Sequence, residues 1–159
     1  MGVLEYDGIR VTLGAGWDGQ LRRRTAGLQP GGHARRVPPP PVGGLVVHVA
    51  NFPLPSEVGD FGGGVVADMK APHILVNLVE YDDASRGTAL FANEGMPTLS
   101  PRDFDPLTMQ RTIQGQSGAQ RFFSVAGRPF GLYVVLGSHL RRFRTGPVLA
   151  AALRGIEIR

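Results

Sequence analysis

The sequence predicts an α+β fold in one domain spanning residues 1–159, with a mostly antiparallel sheet and a few short helices, one of them near the C-terminus. Three observations predict it. Two apolar runs, at residues 120–125 and 130–136, flank the turn-like Ala126-Gly127-Arg128-Pro129, and an Ala-rich segment follows; this reads as a β-hairpin and then a closing helix and strand. The strand candidates mostly lack between them the helices of about 10–15 residues that a parallel sheet requires. Finally, 159 residues that are 42% hydrophobic can bury one core, while 23 glycines and 13 prolines imply short elements joined by many turns.

Taken in order, residues 8–13 set Ile9, Val11 and Leu13 on one side and Arg10 and Thr12 on the other, the alternation of a half-buried strand. Trp17, just beyond, is an expected core anchor. Residues 29–44 contain Pro30-Gly31-Gly32 and the run Pro38-Pro39-Pro40-Pro41, which cannot donate to a ladder and favours polyproline II, so a long loop or flap is expected there. A second strand, almost continuously apolar, spans 45–52 and stops at Pro53 and Pro55. From Asp60 the spacing becomes helical: Phe61, Val65 and Met69 recur every four residues, with Asp60 as N-cap and Pro72 as stop, although Gly62, Gly63 and Gly64 interrupt the pattern.

Residues 73–81 predict a strand rich in Ile, Leu and Val, followed by a polar loop at 82–87 and a short strand at 88–91. Ser100-Pro101-Arg102-Asp103 combines a cap residue, proline at the first helical position and an acid three residues after the cap, and Asp105-Pro106 repeats the first two features; one or two short helices are expected. In the hairpin, Phe130, Leu132, Val134 and Leu136 share a face. Residues 147–154 are helical, with Val148 and Ala152, and Leu149 and Leu153, as i,i+4 pairs, and Gly155 ends the helix before Ile156-Glu157-Ile158. The runs at 45–49 and 74–79 imply strands covered on both faces, by the protein's own helices or by another subunit.

An N-terminal strand leading into Gly-Trp (Gly8-Ile9-Arg10-Val11-Thr12-Leu13-Gly14-Ala15-Gly16-Trp17), central paired strands, and a terminal helix leading to a short strand at 148–158 together resemble PsbP-like domains. The resemblance implies an antiparallel α/β/α sandwich used as an accessory, binding or assembly subunit. It touches both ends of the chain and assigns no functional residue.

The chain contains no cysteine, which excludes disulfides, thiolate metal sites and cysteine nucleophiles. The N-terminus lacks a basic and apolar leader pattern, and no apolar run reaches the roughly 18 residues of a membrane span, so a cytoplasmic location is expected. The net charge is +4, and all but one of the 17 basic residues are arginine, a bias that a GC-rich genome of the actinobacterial kind produces without functional cause. The charge permits an acidic partner without requiring one.

Gly14-Ala15-Gly16-Trp17-Asp18-Gly19 matches the G-x-G-x-x-G of dinucleotide folds, directly after a predicted strand. Its context argues for a plain turn: a bulky Trp follows the second glycine, Arg22-Arg23-Arg24-Thr25-Ala26-Gly27 has no apolar stripe, and the next strand ends in Asn51 without a ribose-binding acid. Asp60-Phe61-Gly62 repeats a kinase metal motif in a chain without the remaining kinase motifs. His33, His48, His73 and His139 are scattered without a second ligand at metal spacing, and Ser124 or Ser138 with His139 is a combination most chains contain. The carboxylates Asp82-Asp83, and Asp103 with Asp105, sit where turns and caps use Asp. No metal or cofactor is implied.

Three basic clusters remain as candidate binding residues: Arg22, Arg23 and Arg24; Arg35 and Arg36; and Arg141, Arg142 and Arg144. Brought together, they would form an anion-binding face. Only Phe143 supplies an aromatic within a basic cluster, which disfavours single-stranded nucleic acid. The resulting expectation is a non-catalytic accessory or structural subunit that binds another protein and can also form homo-oligomers. The alternatives are a nucleotide-binding enzyme using the turn at 14–19 and nucleic-acid binding through the arginines.

Overall fold

The computed structural model describes residues 2–24 and 44–159. Among them, eight strands and one α-helix follow one another as β1 (Gly2–Tyr6), β2 (Ile9–Leu13), β3 (Asp18–Arg23), β4 (Leu45–Ala50), β5 (Ile74–Glu80), β6 (Ser117–Val125), β7 (Arg128–Leu136), α1 (Arg142–Arg154) and β8 (Ile156–Ile158). They form two antiparallel sheets, one of three strands in the order β1-β2-β8 and one of five in the order β3-β4-β5-β7-β6. The fold is α+β. The Pro/Gly-rich loop expected at 29–44 lies, apart from Gly44, outside the described residues.

Two tight turns set the hairpin registers. Ala126 and Gly127, at φ 52° and 76°, join β6 to β7, so Arg128 and Pro129 belong to the strand and pair with Val125 and Ser124. Asp7 and Gly8, at φ 46° and 79°, join β1 to β2 in the same way. Positive φ at both central residues gives the turn the twist of the strands it connects.

Register then assigns each side chain of the large sheet to a face. Val47, Leu78 and Leu132 form one row across β4, β5 and β7, and Val49, Val76 and Val134 form the next. This first face packs against Ile9, Val11 and Leu13 of β2, Ile156 of β8, and Leu149 and Leu153 of α1. Trp17 packs against the same cluster, half-buried. The opposite face carries Val46, Leu75, Val79, Tyr133 and Val135, covered by Val58, Phe61, Val65, Met69, Phe91 and Met109. Every residue of β4 is therefore buried by the chain itself.

Several expected elements differ. The helix expected from Asp60 is absent: Gly62 and Gly64 adopt φ of 84° and 85°, and only Val66–Asp68 forms a 3-10 turn. Left-handed residues two apart cannot continue a right-handed helix. The apolar residues that suggested it are instead the lid of the second face. Ala89–Phe91 is a 3-10 turn, not a strand, and its turn buries Phe91. The two caps at Ser100 and Asp105 start 3-10 turns at Pro101–Asp103 and Pro106–Thr108, the first with a complete capping box. Helix α1 begins at Arg142 and runs through Pro147, although proline was expected to open it. No helix among the described residues is long and apolar enough to cross a membrane.

Candidate functional site

The large sheet puts Arg22 and Arg24 on the opposite side from Arg141, Arg142 and Arg144. Strand alternation in β3 sends Arg22 toward the second face and Arg23 away from it. Arg22 donates to the Val58 carbonyl at 2.8 Å and to Asp60 at 3.2 Å, and Arg24, just past the strand end, donates to the other oxygen of Asp60. The Asp60 carboxylate is fully buried, so two guanidiniums hold one charge that would otherwise be stranded without water. Arg23 instead meets Asp7 at 2.6 Å and lies over the Tyr6 ring. These three arginines tie the edge strand β3 to the lid and to β1. Arg35 and Arg36 lie outside the described residues.

Arg141, Arg142 and Arg144 sit elsewhere, at the start of α1 on the side of the first core. Thr145, Leu149 and Leu153 are buried at i, i+4 and i+8, fixing the inner face of the helix. Phe143, Pro147 and Ala151 have the same spacing offset by two residues, which puts them on the outer side, and all three are exposed. Leu140 just ahead is 89% exposed, Phe143 58% and Val148 45%. Arg142 donates to the His139 carbonyl at 2.9 Å and lies over the Phe143 ring.

Residues 106–156 contain seven arginines and no Asp or Glu. Arg121 and Arg128 pair with Asp103 and Glu80, whereas Arg141, Arg142 and Arg144 have no ion pair among the described residues. Nor does any side chain cap the N-terminus of α1. Cations at that end oppose the helix dipole, so local helix chemistry does not account for them. Beside the patch, Val148 and Ala151 share a groove of about 310 Å³ with Thr12, Leu13, Trp17 and Val49.

The remaining sequence motifs are structural. Gly14-Ala15-Gly16 turns β2 directly into β3, with the Trp17 amide donating to the Gly14 carbonyl at 3.2 Å. No helix follows, so the helix N-terminus that cradles a pyrophosphate is missing. Asp60 of Asp60-Phe61-Gly62 is the buried ion-pair partner. Asp82 accepts from the Ser85 amide, Asp103 from that of Ser100 and Asp105 from that of Leu107, while Asp83 pairs with Arg86. Ser124 donates to the Phe91 carbonyl at 2.8 Å.

Of the histidines, His33 lies outside the described residues. His73 accepts from the Lys70 amide and stacks on Phe52. His48 occupies a polar row on the second face with Gln20, Asn77, Tyr133 and Gln120. The Asn77 amide nitrogen donates to the Tyr133 carbonyl, which aims its oxygen at His48 Nδ1, 2.8 Å away, and assigns the imidazole proton to that nitrogen. Desolvation lowers the His48 pKa to about 4, so the ring is neutral at physiological pH. Among the described residues no three His, Asp or Glu side chains could hold a metal ion.

No protein-family model matches the chain, and comparison with curated proteins and with solved structures returns no match.

Proposed function

We propose that the protein is a non-catalytic accessory subunit that binds an acidic, partly apolar segment of another protein along the outer side of α1. One observation carries this reading: an exposed apolar stripe, Leu140, Phe143, Pro147 and Val148, flanked by arginines that have no acid partner among the described residues. Such a stripe offers anchors that a partner desolvates, and the arginines select a partner of opposite charge. The neighbouring groove with Trp17 gives an apolar side chain of the partner a place to dock.

A photo-crosslinking residue at position 143, activated in the native host at low salt, tests it. The expected product is an adduct with an acidic segment of a different protein, lost when Arg141, Arg142 and Arg144 are changed to Ala. An adduct with a second copy of this chain would replace the reading with self-association. Low-salt retention on DNA that vanishes in the same triple variant would replace it with nucleic-acid binding, because phosphate contacts are salt-dependent.

A further inference from the structure

A cavity of about 410 Å³ opens on the other side of the molecule, away from α1. Its floor is Tyr133 of β7, one wall is the lid segment with Phe61 and Val66, and the other is the loop carrying Gln110, Arg111 and Ile113. Gly63 and Gly64 complete the lid wall without side chains, which keeps the space open.

The walls are tied together. The Gln116 side-chain amide donates to the Val66 carbonyl at 2.8 Å, and its backbone amide donates to the Ile113 carbonyl at 3.1 Å. Gln116 itself is 3% exposed, and its Oε1 has no hydrogen-bond partner among the described residues. The Tyr133 hydroxyl accepts from the Gln110 amide at 2.9 Å and keeps its own proton to donate.

Volume, lining and charge narrow the ligand. The cavity falls within the range of about 300–1,000 Å³ typical of small-molecule sites, and its surface is mostly apolar with a few polar groups, the pattern of a site that buries an apolar body and orients one end. Arg111 is the one charged residue lining it and has no ion pair or hydrogen bond among the described residues. Among the described residues no carboxylate lines the cavity to neutralise it.

We infer that this cavity binds an apolar monocarboxylate, its hydrocarbon part between Phe61, Val66, Ile113 and Tyr133 and its carboxylate at Arg111. The site is independent of the docking face on α1, so either can fail without the other.

Octanoate and its neutral counterpart octanol are the probes, titrated into the full chain while backbone amide resonances are followed. Octanoate is expected to shift the amides of Phe61, Val66 and Ile113 saturably, with octanol about fivefold weaker because it lacks the charge that pairs with Arg111. Arg111→Gln should remove that preference and leave octanol unchanged. Ala67→Trp, at an exposed position on the cavity wall, should block both probes. Absence of saturable shifts, shifts centred elsewhere, or an octanoate preference that survives Arg111→Gln would overturn the assignment. If Ala67→Trp fails to fold, the Arg111→Gln titration decides alone.

Discussion

The two faces of the five-stranded sheet are buried to similar depth but by different means. The first face is apolar, mainly aliphatic with Phe123 and Phe130 stacked at one end, and mostly regular elements cover it: a small sheet and the inner stripe of α1, joined by Leu99 and Phe104. The second carries His48, Asn77 and Tyr133 in its middle row and has Asp60 held over its edge by Arg22 and Arg24, and glycine-rich loops and single 3-10 turns cover it. Aliphatic packing tolerates approximate fit, because dispersion and the hydrophobic effect have no direction. A polar layer under a loop lid does not, because each buried donor and acceptor needs a particular partner. The second face is therefore where single changes distinguish the chemistry of the fold.

The largest effect expected is at Asp60. Asp60→Ala leaves two guanidiniums without their carboxylate and should cost on the order of 3–5 kcal/mol, toward the lower value because the Arg22 side chain keeps 25% of its surface in water. Leu132→Ala on the first face should cost a similar amount, about 2–5 kcal/mol, by leaving a cavity. Repair separates the two. Replacing Asp60, Arg22 and Arg24 together with Leu or Met should recover much of the loss in urea denaturation, since an apolar cluster can substitute for a buried ion pair. If the triple variant is no better than Asp60→Ala, the second face depends on charge for more than pairing.

The next effect is one of pH. Folding lowers the His48 pKa from 6.5 to about 4, so the unfolded chain binds this proton more readily than the folded one. The stability gained from keeping the ring neutral is complete above pH 6.5 and is lost as pH falls toward 4, amounting to roughly 3 kcal/mol over that window. In His48→Gln this component should be absent, while carboxylate contributions common to both proteins cancel in the difference. Parallel stability curves for wild type and variant between pH 4 and 6.5 would show that His48 is hydrated when the protein is folded.

How much of this was legible in the sequence follows the same division. Strands β2, β4, β5 and β7 announced themselves through alternation or unbroken apolar runs, because one or both faces meet aliphatic cores. Strand β3 did not: its Asp18, Gln20, Arg22 and Arg23 carry no apolar stripe, since it is an edge strand over a charged lid. Strand β1 was missed although Asp7-Gly8 carried a strong hairpin signal. The helix expected from Asp60 failed because Phe61, Val65 and Met69 are spaced for burial under a lid whose glycines take left-handed φ. The role of Asp60 itself could not be read locally, for its partners lie 36 and 38 residues away. The exposed arginines near α1 were legible as a cluster, but only the helix phase revealed the apolar stripe beside them.

A smaller effect tests the glycine argument. Gly62 sits at φ 84°, and a Cβ there would lie 2.5 Å from Leu75 Cδ2. Gly62→Ala should therefore cost roughly 1–3 kcal/mol through strain and crowding. Gly64→Ala shares the backbone strain but has open space around it, so its cost should be the smaller of the two. Equal losses in the two variants would mean that backbone conformation alone, without the close approach to β5, shapes the lid.

The smallest effect bears on α1. Arg144 lies in the first turn of the helix, exposed and without an acid partner among the described residues, where the dipole favours a negative side chain. Arg144→Glu should leave stability unchanged or raise it by about 0.3–1 kcal/mol, while weakening the capture of an acidic partner through the crosslinker at position 143. Stability and binding would then move in opposite directions. That divergence is the mark of a surface whose residues answer to a partner, because a residue held in place by the fold would lose both together. A drop in thermal midpoint for Arg144→Glu would assign the arginine to the protein's own structure and leave the docking face resting on Leu140, Phe143 and Val148 alone.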